Sequence, residues 1–139
     1  MTTVNDVMTR NVRTLAPGAT VAEAAKAMHE LNVGVIPVCE GDKLLGMVTD
    51  RDIVLRAVAQ GLGGDTPLST VMSTDVRTAR ETDDLDTVLA DMASRQIRRL
   101  PVLDASQRLA GIISIGDIAV KGQDEEDVGQ SLADISSPA

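Results

Sequence analysis

One stretch of this 139-residue chain occurs twice, and the rest of the sequence is arranged around it. The first copy reads Gly46-Met47-Val48-Thr49-Asp50-Arg51-Asp52-Ile53, and the second, 65 positions later, reads Gly111-Ile112-Ile113-Ser114-Ile115-Gly116-Asp117-Ile118. Each copy runs from a glycine through two apolar residues to a hydroxyl side chain, with a carboxylate three residues further on. This pattern predicts a strand that leads directly into the first turn of a helix.

The repetition extends beyond this stretch. At an offset of 64 residues, Val7-Met8 matches Val71-Met72, and Pro37-Val38 matches Pro101-Val102. Because many matches share one register, the chain is an internal repeat of two similar units. Each unit is too small to form a comfortable core alone, so we expect a pseudo-twofold pair in which each half covers the other. The predicted domains are residues 1–62 and 63–121, followed by an acidic tail at 122–139 that is mobile or weakly helical.

Both units predict the order strand, helix, strand, strand, helix. The fold class is therefore α/β (α+β), with a small sheet flanked by two helices in each domain. In the first unit we expect strands at 12–14, 33–39 and 44–48, and helices at about 20–31 and 50–59. In the second we expect strands at 76–78, 99–103 and 109–114, and helices at 85–96 and from 115 onward. The first helix is expected to bury Val21, Ala24, Ala25, Met28 and Leu31.

Composition excludes several classes of function. The formal net charge of −8 opposes binding to the phosphates of a nucleic acid. The chain also has no Phe, Tyr or Trp on which the bases of a single strand could stack. No apolar run approaches the length of a membrane span or a signal peptide, which predicts a cytoplasmic protein without a membrane partner. With one cysteine, Cys39, and one histidine, His29, the sequence offers no convincing set of metal ligands, and no metal site is expected. Cys39 is expected to be buried and His29 to be exposed.

The repeated turn has two interpretations. A hydroxyl with an acid three residues on, as in Thr49 with Asp52 and Ser114 with Asp117, caps many helices that bind nothing. A helix N-terminus also attracts anions, and a carboxylate accepts hydrogen bonds from a sugar diol, so the same turn suits a ligand with a phosphate and a ribose. The flat base of such a ligand would lie between aliphatic side chains: Ile36, Pro37, Leu100 and Pro101.

With these motifs the chain resembles a tandem pair of cystathionine-β-synthase (CBS) domains, the Bateman module, over residues 4–121. The marks are the repeated glycine-to-aspartate stretch, the openings Met8-Thr9 and Met72-Ser73, and the two Pro-Val strands. The resemblance implies clefts that bind AMP, ADP, ATP or S-adenosylmethionine as a ligand, with no cofactor required. It also implies dimerisation with a second module, here a homodimer.

The resemblance also assigns residues to the ligand. Asp52 and Asp117 would hold ribose hydroxyls, and Thr49 and Ser114 would contact ribose or phosphate. The adenine would be bordered by residues from both units: Thr14, Thr78, and the backbone near Val35 and Arg99.

The two copies are not equivalent in charge. Asp50-Arg51 follows the first hydroxyl, whereas Ile115-Gly116 follows the second, and Arg98-Arg99 precedes the Leu-Pro-Val sequence of the second unit. The Asp50 carboxylate opposes a phosphate and Arg51 offsets it only in part, while glycine allows close approach of the backbone. We therefore expect a phosphate either at the second copy or bound by Arg98 or Arg99 reaching across the pseudo-twofold axis. The alternative is that Arg98 and Arg99 are an ordinary solvated pair.

Three functions are compared. The first is a stand-alone regulatory module that binds an adenosine-containing ligand and signals in trans to an unidentified protein partner. The alternative is a structural or protein-interaction CBS protein that no longer binds nucleotide. The third, an enzyme, is not expected, because His29 alone cannot form a pair of nucleophile and base.

Overall fold

The computed structural model describes residues 2–116 of the chain, and these form two compact units. The first-copy unit is Arg13–Val76, and it contains the first copy of the repeated stretch. The second-copy unit comprises the described residues of Met1–Val12 and Arg77–Ala139. The opening segment of the chain thus packs with the second copy, and the segment that opens the second repeat packs with the first. The boundary predicted between residues 62 and 63 separates the two sequence repeats, which is a different division from these packing units. It stays a prediction.

The described part of the chain alternates short helices with short strands. In chain order the elements are α1 (Val4–Val7), α2 (Val21–Leu31), β1 (Val35–Glu40), β2 (Lys43–Thr49), α3 (Asp50–Ile53) with a π-helical turn at Val54–Val58, α4 (Leu68–Val71), β3 (Ala79–Arg80), α5 (Leu85–Arg95), β4 (Arg99–Leu103) and β5 (Leu109–Ser114). This mixture of small sheets and helices confirms the predicted fold class. None of the helices described is long and apolar enough to cross a membrane.

Each unit is built on an antiparallel hairpin with the same register. In β1–β2, Val35 lies opposite Thr49, and in β4–β5, Arg99 lies opposite Ser114. In both hairpins the pairing register shifts directly after the Pro-Val pair. The shift lies between Val38 and Cys39 in the first hairpin and between Val102 and Leu103 in the second. The sequence repeat is therefore also a repeat of backbone structure.

The strands predicted at 12–14 and 76–78 are wrong in position. Pairing occurs later in each case, as a single parallel bridge from Leu15 to Val38 and as the parallel pair of β3 with β4. Ala79 is buried, whereas Thr78 is exposed. A run of three residues, Val-Arg-Thr in both cases, is too short to fix a register, and the contact with the hairpin decides it instead.

The long helix of each unit begins and ends in the same way. The Thr20 hydroxyl accepts a hydrogen bond from Glu23 N (3.1 Å) at the start of α2, and the Asp84 carboxylate accepts one from Thr87 N (3.1 Å) at the start of α5. The residues after the two helices, Asn32 and Gln96, both adopt a left-handed φ of 54°. These caps fix the helix limits against the sheets.

Two aliphatic cores lie under the sheets, one in each unit. In α2 the buried side chains are Val21, Ala24, Ala27 and Met28, whereas Ala25 is exposed and Leu31 is 45% exposed. The predicted face of α2 is thus wrong at Ala25 and Leu31, because the contact stripe is turned toward Ala27. The fully buried members of the cores are Val4, Ile36, Val38, Val48, Leu68, Val71, Met92, Val102 and Ile113, among others.

Candidate functional site

The first repeated turn is a helix cap. Thr49 N donates to Asp52 Oδ2 (3.0 Å), and Asp52 N donates to Thr49 Oγ1 (2.9 Å). This reciprocal pair closes the N-terminus of α3 directly after β2. The first copy therefore caps its helix, and a ligand could use only the hydrogen-bonding capacity that the cap leaves to the Thr49 hydroxyl and the Asp52 carboxylate.

One carboxylate oxygen of Asp52 is not engaged in the cap. Within the described residues, Asp52 Oδ1 has one charged neighbour, Arg56 Nε, at 3.9 Å. That separation is longer than a hydrogen bond, so Oδ1 keeps its capacity to accept one. The Asp52 side chain is 13% exposed and is held by the cap in a fixed orientation. A partly buried, oriented acceptor of this kind can bind a hydroxyl pair.

The residue after the hydroxyl differs between the two units. Asp50 N donates to Gly34 O, and Ile115 N donates to Arg98 O, both at 3.0 Å, so the backbones are equivalent. The Asp50 side chain is exposed and turns back on the chain, where its Oδ1 accepts a hydrogen bond from Arg51 N (2.8 Å). Ile115 is instead buried. The first turn thus carries an extra carboxylate next to the exposed Arg51, whereas the second turn has an apolar side chain at this position.

The residue whose carbonyl bonds to the start of each turn also differs in size between the two units. A Cβ atom added to Gly34 would lie 3.1 Å from Asp50 Oδ2, which is tighter than an ordinary contact. In the second unit the matching position is Arg98, followed by Arg99, and both are exposed. The assignment of Arg98 and Arg99 to a phosphate stays a prediction.

The other predicted ligand residues lie at various depths within their own units. Val35 is half-buried opposite Thr49, and Ser114 is half-buried opposite Arg99. Thr14 is half-buried and Thr78 is exposed. Pro37 and Pro101 are buried in their hairpins, and Arg51 is exposed on the first turn of α3. Asp117 lies outside the described residues.

Sequence reasoning missed the role of the glycine that opens each copy. A Cβ atom on Gly46 would lie 2.4 Å from Ser73 O, and one on Gly111 would lie 2.4 Å from Thr9 O. At these points Ser73 exchanges two backbone hydrogen bonds with Met47, and Thr9 exchanges two with Ile112. The signal was present in the sequence, since Met8-Thr9 and Met72-Ser73 repeat together with the glycines.

The two remaining candidates behave as expected. His29 is exposed on α2, and Cys39 is buried with a side chain 4% exposed. Among residues 2–116, no group of three or more His, Cys, Asp or Glu side chains could hold a metal ion.

Native Cys39 is expected to react with dithiobis(nitrobenzoic acid) about a hundredfold more slowly than in the unfolded chain, because it must await local opening. Burial raises the pKa of the Cys39 thiol, and the negative charge of Asp42 raises it further. The neutral thiol that these effects favour is not the nucleophile. Rates in buffer and in guanidinium chloride at mildly alkaline pH provide the comparison, and equal rates would contradict the burial.

The sequence and the fold match known proteins over nearly the whole chain. A family model described as CBS domain matches residues 4–58 and 68–122. The CBS domain-containing protein YhcV of Bacillus subtilis (strain 168) is 46% identical over 136 residues, which cover 98% of this chain and 96% of that protein.

Two similar solved structures contain ligands. The CBS domain pair of protein MJ0100, in complex with 5′-methylthioadenosine and S-adenosyl-L-methionine, matches with a TM-score of 0.74 and 30% identity, covering 86% of this chain and 94% of that one. CBSX2 in complex with AMP matches with a TM-score of 0.75 and 25% identity, covering 86% and 95%. With its repeated hairpins and its two matches to the family model, the chain belongs to the CBS domain family, as two CBS domains in tandem.

Proposed function

We propose that this protein is a regulatory module that binds adenosine-containing ligands and signals in trans to another protein. Asp52 carries the proposal, because its Oδ2 holds the turn while its Oδ1 keeps the capacity to accept from a ribose hydroxyl. The ligands of the two similar structures, AMP and S-adenosyl-L-methionine with 5′-methylthioadenosine, support an adenosine compound. Regulation would follow from a ligand that binds one conformation of the module better than another.

The two copies are proposed to prefer different ligands. Asp50 places a second carboxylate beside Asp52, which opposes a phosphate but not the positive sulfonium of S-adenosylmethionine. The second copy has Ile115 at that position, and two arginines lie at the start of the neighbouring strand, Arg98 just before β4 and Arg99 as its first residue. We therefore assign an anionic adenine nucleotide to the second copy, and a ligand without phosphate to the first.

The second candidate is a structural or interaction protein that has kept the fold without the ligand. The reciprocal cap favours it, since Thr49 and Asp52 already have a structural role with each other. We do not propose catalysis, and nucleotide turnover that is lost on replacing His29 would contradict that view. The homodimer, the protein partner and the cytoplasmic location remain predictions.

Purified protein tests the two candidates directly. Because the chain has no Tyr or Trp, a co-purifying nucleotide would stand out through the ultraviolet band of adenine. We expect such a band, or heat on titration with AMP, ATP or S-adenosylmethionine in a calorimeter. A clean spectrum together with no heat from any of the three would contradict the proposed function and favour the structural role.

A further inference from the structure

Arg56 lies on the π-helical turn after α3 and reaches two other elements. Its Nε lies 3.9 Å from Asp52 Oδ1, and its Nη1 lies 3.4 Å from Val71 O and 3.3 Å from Met72 O. These carbonyls close α4. Because a guanidinium presents five donors in one plane, a single arginine can serve a carboxylate and two carbonyls. Arg56 therefore joins the proposed ribose acceptor to the end of α4.

The carbonyls that Arg56 contacts belong to the segment that docks on β2. Met72 precedes Ser73, whose N donates to Met47 O (2.8 Å) and whose O accepts from Met47 N (2.9 Å). From Met47, β2 leads back to the turn that carries Asp52. A closed circuit of contacts thus runs from Asp52 through Arg56 and residues 72–73 to β2, and returns to Asp52.

The sequence places a cation at the same position in the second copy. Lys121 follows Asp117 by four residues, as Arg56 follows Asp52. Both residues of the second copy lie outside the described part of the chain. In a helix a cation at this spacing lies next to the carboxylate. The two copies differ at most of the intervening positions, so the retained charge indicates a role of its own.

We infer that Arg56 is a positioning residue that couples a ligand at Asp52 to the docking of residues 72–73 on β2; this rests on the proposed function. Ribose hydroxyls that donate to Asp52 Oδ1 replace its long contact with Arg56 Nε. The guanidinium is then free to approach the two carbonyls. Contacts of 3.3 and 3.4 Å are long for N–H···O bonds and can shorten. The tightened segment is the one through which the chain leaves the first-copy unit.

A purely structural role makes a different prediction. A cation beside the last carbonyls of a helix is an ordinary cap and stabilises them whether or not a ligand is bound. Coupling instead requires that the ligand changes the strength of the contact. Dependence on the ligand is therefore the property to measure, at the amides of Met47 and Ser73.

Amide hydrogen exchange followed by NMR, with and without saturating S-adenosylmethionine, tests the coupling. This probe carries the ribose hydroxyls and a sulfonium, so Asp50 does not oppose it. We expect it to slow exchange at Met47 and Ser73 about tenfold in the unaltered protein, as for a modest local stabilisation. Arg56→Gln should abolish the slowing. Arg56→Lys, which keeps the charge found at Lys121 but not the planar set of donors, should retain only part of it.

Arg95→Gln is the matched control. Arg95 Nε lies 2.9 Å from Asp91 Oδ1, also four residues away on a helix, so this variant removes an equivalent surface pair. It should leave the ligand-induced slowing intact. Two results would overturn this inference alone. One is ligand-induced slowing of amide exchange that persists in Arg56→Gln, and the other is an affinity for S-adenosylmethionine that Asp52→Asn leaves unchanged. No binding of S-adenosylmethionine, AMP or ATP by the unaltered protein would overturn the proposed function and the inference with it.

Discussion

Alanine at Gly46 or Gly111 is expected to destabilise the protein by about 2–4 kcal/mol, from overpacking and weakened backbone hydrogen bonds. The added Cβ would lie 2.4 Å from a carbonyl oxygen of the docked segment, Ser73 O in one unit and Thr9 O in the other. That oxygen belongs to backbone, so it cannot turn aside as the end of a side chain could. The segment must move away and loosen the two hydrogen bonds that it exchanges with the strand.

Thermal unfolding followed by far-ultraviolet circular dichroism measures this effect, and a decrease in Tm of about 10 °C is expected. Gly18→Ala is the matched control, because a Cβ atom there meets nothing within 4 Å and φ is not in the left-handed region. It should change stability by less than about 1 kcal/mol. Equal, small effects at Gly18, Gly46 and Gly111 would mean that the segments are not docked as the structure shows.

The hairpins and long helices could be predicted because apolar spacing and capping residues are local signals. The helix caps at Thr20 and at Thr49 with Asp52 follow the spacing of the sequence. The docking of residues 72–73 on β2 could not be predicted in this way. It depends on backbone pairing between distant parts of the chain. The only sequence signals of this pairing are Gly46 and the dipeptide Met72-Ser73, which both recur in the repeat.

The candidate site shows the same limit. Spacing alone indicated that Thr49 and Asp52 would cap the helix, and each side chain does accept a hydrogen bond from the backbone N–H of the other residue. It did not indicate Arg56, because two of the three groups that this arginine contacts are main-chain carbonyls at the end of α4. Carbonyls have no residue preference, so such a contact has no signature in the sequence. The π-helical turn within the helix predicted at 50–59 was also missed.

The charge difference between the two turns gives the largest expected effect on binding. In the first turn the exposed Asp50 carboxylate lies at the start of α3, and its Oδ1 is held by Arg51 N at 2.8 Å. In the second turn the equivalent residue is the buried Ile115, and Arg99 lies opposite Ser114 in the hairpin. The phosphate of AMP should therefore bind at the second copy, and the ribose hydroxyls of AMP should donate hydrogen bonds to Asp117.

Asp117→Asn is accordingly expected to weaken AMP binding about ten- to a hundredfold, because a hydrogen bond from the ribose to a charged acceptor is lost. Asp52→Asn should change AMP affinity less than about threefold, since Asp52 belongs to the first copy, to which the nucleotide is not assigned, and the loss of a partly exposed charge is screened by salt. Asp50→Asn controls for a change of charge at an exposed position, and should leave AMP binding unchanged or slightly tighter. Calorimetric titration of the three variants measures these affinities, with circular dichroism to verify folding. Loss of AMP binding in Asp52→Asn but not in Asp117→Asn would reverse the ranking, and Asp50 would then not exclude the phosphate.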